Sequence, residues 1–185
     1  MTNRRNDEYG GDRAGRMRMA LEVAGAVRRT WPKEKPLLLR VSAVDGAENG
    51  WSLEDTVVLA RELKARGVDV IDCSSGGLAG SATLASATRQ PGFQVPYAAE
   101  VRRRAGVATQ AVGLILDGPQ AESILQAGDA DLIAVGREAL YDPSWAHHAA
   151  RDLGADPNFA AWPETYGFWL TRRAKNLLPR ERRSA

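Results

Sequence analysis

The segment DLIAVGREAL, residues 131–140, is the stretch that decides the fold. Its apolar part, residues 132–135, has the length and β-branched content of a strand that is covered on both faces. Gly136 follows, and the absence of a Cβ there lets a ligand approach the backbone closely. Arg137 adds a permanent charge and a rigid fork of donors that suits phosphate oxygens. The residues alone leave two interpretations open: a phosphate clamp at the end of a buried strand, or a surface turn with Arg137 in an ion pair.

Composition narrows the class of protein. The chain has 185 residues, enough for one ordinary domain but few for an eight-stranded α/β barrel. A net charge of +2, with acids and bases interspersed, predicts that the body of the chain binds neither nucleic acid nor a membrane. A single cysteine excludes an internal disulfide and a cysteine-rich metal site. No segment has the pattern of a secretion signal or the length of a membrane span, so we expect a cytoplasmic protein.

Helical and strand patterns alternate along residues 1–170, and residues 171–185 read as a basic C-terminal tail. A first helix, capped by Asp12, precedes four strand-helix units. This alternation predicts a parallel α/β sheet with right-handed crossovers, and leaves open whether the sheet is doubly wound or a section of a (β/α)8 barrel. Residues 76–95 are expected to form a loop that covers a ligand. The predicted strands are 36–43, 68–75, 108–112 and 132–135, and the helices that follow them begin near Ser52, Tyr97, Pro119 and Pro143.

Four motifs in a fixed order resemble one family. They are NRRNDEYGG at residues 3–11, LRVSA at 39–43, GVDVIDCSSG at 67–76 and VGR at 135–137. Together they resemble the old yellow enzyme family of FMN-dependent NADH:flavin oxidoreductases and ene-reductases, especially its xenobiotic-reductase-like bacterial subgroup. The resemblance implies an FMN-binding (β/α)8 TIM barrel, of which this chain is the C-terminal half, strands five to eight with their helices.

The resemblance implies cofactor-binding roles for five residues. Arg40 is expected beside the pyrimidine edge of the flavin, where a fixed positive charge favours the anionic reduced ring. A structural ion pair is the alternative for an arginine on a strand. Gly113, Leu114 and Gly136 are expected to offer backbone N–H groups to the FMN phosphate, and Arg137 to pair with it directly.

Five further residues resemble, or stand near, residues of the family's site. Trp169 resembles a tryptophan that reaches the substrate side of the flavin in xenobiotic reductases, with packing or a subunit contact as the alternative. Phe168 stands where other members carry an arginine that enters a neighbouring subunit's site, so no such arginine is expected there. Cys73, His147 and His148 are expected to be packing or surface residues, because the family's corresponding cysteine and histidine pair belong to earlier strands.

The resemblance also implies where the family's catalytic and substrate-binding residues lie. The family's proton-donating tyrosine, flavin-tuning cysteine and substrate-binding histidines belong to its first four strands, so no catalytic residue is assigned here. A full member takes hydride from NAD(P)H onto FMN and passes it to an enone-type substrate. We therefore expect the chain to act with a complementary N-terminal half-barrel or to close its edges as a homo-oligomer. Two alternatives remain: a non-catalytic half-barrel that binds a phosphorylated small molecule, and an inactive truncated fragment.

Overall fold

A computed structural model describes residues 2–76 and 89–177, which form a parallel α/β sheet with helices packed against it. This confirms the predicted fold class at the level of a parallel α/β sheet. In chain order the elements are α1 (Arg13–Thr30), β1 (Leu38–Ser42), α2 (Leu53–Ala65), β2 (Val70–Ser74), α3 (Val95–Ala105), β3 (Ala108–Ala111), α4 (Gly118–Gln126), β4 (Leu132–Ile133), α5 (Arg137–Tyr141), α6 (Trp145–Asp152) and α7 (Glu164–Asn176).

The sheet has the order β1-β2-β3-β4, and each neighbouring pair is parallel. Spatial order therefore follows chain order. A doubly wound sheet reverses its strand order at a switch point, and the four strands within the described residues show no such reversal. All the carboxyl ends of the strands consequently meet at one edge of the sheet.

The hydrophobic core lies on one face of this sheet. Ile71 and Cys73 of β2 are fully buried there, against α2 and α3 residues such as Leu63 and Val101. Residues at alternate positions point to the opposite face, where the outer strands are uncovered: Leu38 and Leu132 are both 44% exposed. The described helices thus cover one face of the sheet and leave apolar side chains exposed on the other.

Helix starts are set by local hydrogen bonds, as predicted. The Asp12 carboxylate accepts a hydrogen bond from the N–H of Gly15 at 2.8 Å and caps α1. Ser52 and Asp55 form a reciprocal capping box at the start of α2. Because these bonds span only three residues, their partners are visible in the sequence.

Buried Thr56 ties α2 to the end of β1. Its hydroxyl donates to the carbonyl of Ala43 at 2.7 Å and accepts from Trp51 Nε1 at 2.6 Å. The backbone N–H of Trp51 donates in turn to Asp45 Oδ2 at 2.8 Å. These bonds hold the loop after β1 against the helix and fix where that loop leaves the sheet.

The segment around β4 differs from the prediction in two respects. The strand spans two residues, not 132–135, because β3 ends at Ala111 and offers no further ladder partner after the bond from Ala134 N–H to Ala111 O at 2.8 Å. The helix predicted to begin at Pro143 begins at Trp145, because Asp142 accepts from the N–H of Ser144 at 3.0 Å and closes a turn there. The short helix α5 between them was not predicted.

Two remaining predictions concern the C-terminal tail and the loop at residues 76–95. Helix α7 continues to Asn176, six residues into the segment read as a tail, and the predicted ligand-covering loop at 76–95 lies largely outside the described residues.

Cys73 is a buried hydrophobe as predicted, and burial raises its pKa to about 12. His147 packs on the Trp162 ring with centroids 4.4 Å apart, and His148 Nδ1 lies 2.6 Å from Asp142 Oδ2. Both histidines are thus packing or surface residues, as expected.

Candidate functional site

A cleft of about 440 Å³ lies at the carboxyl edge of the sheet. Its walls come from the ends of all four strands and from the turns that follow β3 and β4. The structure brings all five cofactor-binding candidates together in this cleft. They are Arg40, Gly113, Leu114, Gly136 and Arg137.

The turn after β3 needs glycine at its first position. Gly113 has a φ of +117°, and a Cβ there would lie 2.8 Å from Gln94 Oε1 and 3.0 Å from Phe93 Cε1. Leu114 also has a positive φ, of 52°. Both carbonyl oxygens accept from the N–H of Gly92, at 3.0 and 3.1 Å. The backbone is therefore held in an unusual conformation by the turn that leads into α3.

Gln120, on α4, fixes the same turn through two side-chain hydrogen bonds. Its Nε2 donates to the carbonyl of Leu114 at 3.0 Å, and its Oε1 accepts from the N–H of Leu116 at 2.9 Å. Asp117 caps α4 by accepting from the Gln120 N–H at 2.8 Å. One helix start thus positions the turn, which makes the backbone groups of Gly113 and Leu114 rigid.

The turn after β4 presents unused donors. An added Cβ on Gly136 would meet no atom within 4 Å, so the cleft is open at this point. The Arg137 side chain is exposed and forms no hydrogen bond or ion pair with any other described residue. Within residues 2–76 and 89–177, the backbone N–H groups of Gly113, Leu114, Gly136 and Arg137 donate to no acceptor. Four free N–H groups and one guanidinium at neighbouring strand ends can bind an anion.

The cleft is positively charged. Among the described residues that line it are three arginines, Arg40, Arg89 and Arg137, and one acidic residue, Glu138. Arg89 packs over the ring of Phe93, with its guanidinium carbon 5.2 Å from the ring centroid. Arg89 and Phe93 were not predicted, because they lie in a long loop whose path the sequence does not specify.

Arg40 faces both the cleft and the sheet. Its Nη1 lies 3.4 Å from Asp72 Oδ2, and its Nε lies 3.4 Å from Ser74 Oγ. Asp72 Oδ2 also accepts from Gln110 Nε2 at 3.1 Å. The ion pair considered as an alternative for Arg40 therefore exists, while more than half of the Arg40 side chain remains exposed. Asp72 and Gln110 were not predicted as site residues, although a polar residue in the middle of a predicted buried strand was a usable signal.

Trp169 is not brought into the cleft. It lies on α7 with 59% of its surface exposed, and it is absent from the described residues that line the cleft. Its ring packs edge-on against Phe168, with centroids 5.2 Å apart, and the guanidinium of Arg172 lies over both rings. In this structure Trp169 belongs to an exposed aromatic face of α7.

Two kinds of feature are absent from the described part of the chain. No group of three or more histidine, cysteine, aspartate or glutamate side chains there is arranged to hold a metal ion. No helix among residues 2–76 and 89–177 has the length and apolar character needed to cross a membrane.

Sequence relatives match most of this chain. An NADPH dehydrogenase of Listeria monocytogenes serotype 4b (strain CLIP80459) is 47% identical over 154 residues, which are 83% of this chain and 44% of the relative. An NADPH dehydrogenase of Bacillus subtilis (strain 168) is 44% identical over 156 residues, 84% of this chain and 44% of the relative. The chain thus spans less than half the length of these relatives.

Solved structures share the fold. Histamine dehydrogenase from Rhizobium sp. 4-9 superimposes with a TM-score of 0.66 at 22% identity, covering 83% of this chain and 22% of that protein. The 6-hydroxypseudooxynicotine amine oxidase of Pseudomonas geniculata N1 gives a TM-score of 0.65 at 21% identity, covering 83% of this chain and 23% of that protein. At this identity the likeness concerns the fold alone.

The family assignment comes from a match over most of the chain. Residues 1–156 match the family described as NADH:flavin oxidoreductase / NADH oxidase, which confirms the resemblance drawn from the four motifs. Membership implies FMN as cofactor and NAD(P)H as reductant. By its sequence match and the strand-end cleft that accompanies it, the chain belongs to the NADH:flavin oxidoreductase / NADH oxidase family.

Proposed function

We propose that this chain is the FMN phosphate-binding part of an NAD(P)H-dependent oxidoreductase that reduces activated C=C bonds, such as those of enones. One observation carries the proposal: four backbone N–H groups and the Arg137 guanidinium, none of which has a partner among the described residues, surround one cleft at the ends of β3 and β4. Barrels commonly bind phosphate at this position, after their last two strands. The relatives named NADPH dehydrogenase support the choice of reductant.

The residues of the cleft fit FMN. Gly113, Leu114 and Gly136 would hold the phosphate through backbone donors, and Arg137 would neutralise its charge. Arg40, in the middle of β1, would present a positive charge to the ring and favour its anionic reduced form. Bound FMN would supply hydride transfer, while these residues bind and orient it.

The proposal includes the place of the chain in a larger barrel. We assign β1 to β4 to strands five to eight of a (β/α)8 barrel, with a complementary N-terminal half covering the open face. The sequential strand order, the bare face carrying Leu38 and Leu132, and the 44% share of the relatives' length all support this assignment. An uncovered apolar face of this kind needs a partner surface.

Reconstitution tests the proposal. The full chain is mixed with the separately expressed N-terminal segment of a full-length relative, and FMN is titrated while its fluorescence is recorded. We expect the mixture to bind FMN and to oxidise NADPH when a cyclic enone is added. A folded complex that neither binds FMN nor turns over the enone contradicts the proposal.

A second candidate is a phosphate-ligand-binding homodimer without redox chemistry. It is favoured by the absence of tyrosine and histidine from the described residues that line the cleft, because a proton donor for an enone is then not supplied by this chain. In this case the chain alone forms a dimer on size-exclusion chromatography, and it binds phosphorylated compounds without preference for a flavin. A monomer that acquires FMN only with the complementary segment excludes this candidate.

A further inference from the structure

Three polar side chains form a row across the middle of the sheet. Arg40 of β1 is opposite Asp72 of β2, and Asp72 is opposite Gln110 of β3. Side chains at one register position point to the same face, so the row lies on the face opposite the helical core. Asp72 is only 7% exposed, which makes it the most buried member of the row. A carboxylate this buried is costly unless hydrogen bonds and a counter-charge compensate it.

Both neighbours bind the same oxygen of Asp72. Arg40 Nη1 lies 3.4 Å and Gln110 Nε2 lies 3.1 Å from Oδ2, whereas Oδ1 is buried and has no hydrogen-bond partner among the described residues. Gln110 therefore holds the carboxylate from the β3 side and leaves its charge directed at Arg40. The parallel ladder fixes the spacing of all three backbones.

Only one end of this row, the Arg40 end, reaches the cleft. Arg40 lines the cleft, but Asp72 and Gln110 do not. The guanidinium is therefore the group of the row that meets a ligand. Asp72 has two opposite effects on an anion in the cleft: its charge opposes binding, and its hydrogen bond orients the guanidinium that favours binding. Because Asp72 lies behind Arg40, the orienting effect is expected to be the larger one.

We propose that Asp72, held by Gln110, is a positioning residue that orients Arg40 and thereby sets the preference of the site for reduced, anionic FMN over oxidised FMN. The inference rests on the proposed function, since it concerns FMN in this cleft. It adds Asp72 and Gln110, to which the resemblance gave no role, to the control of the cofactor's redox balance.

The test compares affinities for the two redox forms of FMN. Asp72→Asn keeps the shape of the side chain and replaces a charge-assisted hydrogen bond by a neutral one. In the chain mixed with the complementary segment, the ratio of reduced to oxidised FMN affinity, obtained from the midpoint potential, should fall roughly three- to tenfold. Gln110→Met should lower it in the same direction and by less, while Gln126→Met on the exposed face of α4 serves as the matched control and leaves it unchanged.

A double variant shows whether the effect passes through Arg40. In an Arg40→Gln background, Asp72→Asn should cause no further change in the ratio. A ratio that rises in Asp72→Asn, a ratio that stays constant, or an equal loss of affinity for both redox forms overturns the inference, and so does a fall that persists without Arg40. If Asp72→Asn does not fold, an unchanged ratio in Gln110→Met has the same consequence. Failure of the wild-type complex to bind FMN refutes the proposed function itself, whereas binding with an unaltered ratio in the variants refutes the inference alone.

Discussion

Replacing Arg137 by alanine separates the phosphate site from the stability of the fold. The side chain is exposed and contacts no other described residue through a hydrogen bond or ion pair, so its removal should change the free energy of unfolding by less than about 0.5 kcal/mol. A hydrogen bond to a charged group contributes roughly 1.5–3 kcal/mol, and solvent exposure places Arg137 near the lower limit. Since about 1.4 kcal/mol corresponds to a tenfold change in affinity, we expect the Kd for FMN to rise roughly 10- to 30-fold.

The assay compares FMN with riboflavin, which has the same ring and lacks the phosphate. Fluorescence titrations of the reconstituted complex should show weaker FMN binding in Arg137→Ala and unchanged riboflavin binding. Arg103→Ala is the matched control, because Arg103 is an exposed arginine on α3 that pairs with Glu100 and does not line the cleft. An equal loss for both flavins, or no loss for FMN, would refute the assignment of Arg137 to the phosphate.

Four other substitutions and reactions test the structure itself. Gly113→Ala places a Cβ in a backbone conformation with positive φ and against the side-chain amide of Gln94. Urea denaturation should therefore show a free energy of unfolding that is lower by roughly 1–3 kcal/mol. An unchanged midpoint of the urea transition would contradict the geometry of the turn. Thr56→Val leaves the carbonyl of Ala43 and the indole N–H of Trp51 without the hydroxyl as a partner. The free energy of unfolding in the same assay should fall by roughly 2–4 kcal/mol. A fall of less than about 1 kcal/mol would show that water replaces the hydroxyl. Hydrogen bonds from Arg102 hold the pKa of Asp131 below its ordinary value. The stabilisation from this carboxylate is therefore complete above about pH 5 and is lost as the pH falls through the lowered pKa of the folded state. The stability difference between wild type and Asp131→Asn should shrink as the pH is lowered from about pH 5, and a constant difference would contradict this. Burial and a pKa of about 12 should make Cys73 react with a thiol reagent at about pH 8 at least roughly a hundredfold more slowly in the folded chain than in urea, and equal rates would contradict its burial.

Local signals in the sequence predicted helix starts better than strand ends. The helix starts at Asp12 and Ser52 were predicted correctly because the partners of these capping residues lie within three residues along the chain. The length of β4 was overestimated because a strand ends where its neighbour ends, and the position at which Ala111 closes β3 depends on the glycine turn that follows. Apolar content alone carries no information about that partner.

Some residues of the candidate site were predicted from the sequence, and others were not. Gly113 and Arg137 were predicted from the family resemblance, and both line the cleft. Asp72 and Gln110 were missed because their meeting with Arg40 depends on the register of three strands, which the sequence of any one strand does not determine. Trp169 was proposed from its resemblance to a tryptophan of xenobiotic reductases, and it lies outside the cleft because of how α7 packs, for which no local pattern exists.

The shortness of β4 has a consequence for hydrogen exchange. Only two register positions, Gln110 with Leu132 and Ala111 with Ile133, join this strand to the sheet, whereas β1 and β2 share five. Segments with few ladder bonds open locally at low free energy, so the amides around β4 should exchange with solvent well before those of β2. A phosphate held between the turns after β3 and β4 would bridge this edge to the more protected part of the sheet. Ligand binding would then appear as slower exchange concentrated at one edge, because a ligand stabilises most the part of a protein whose opening releases it.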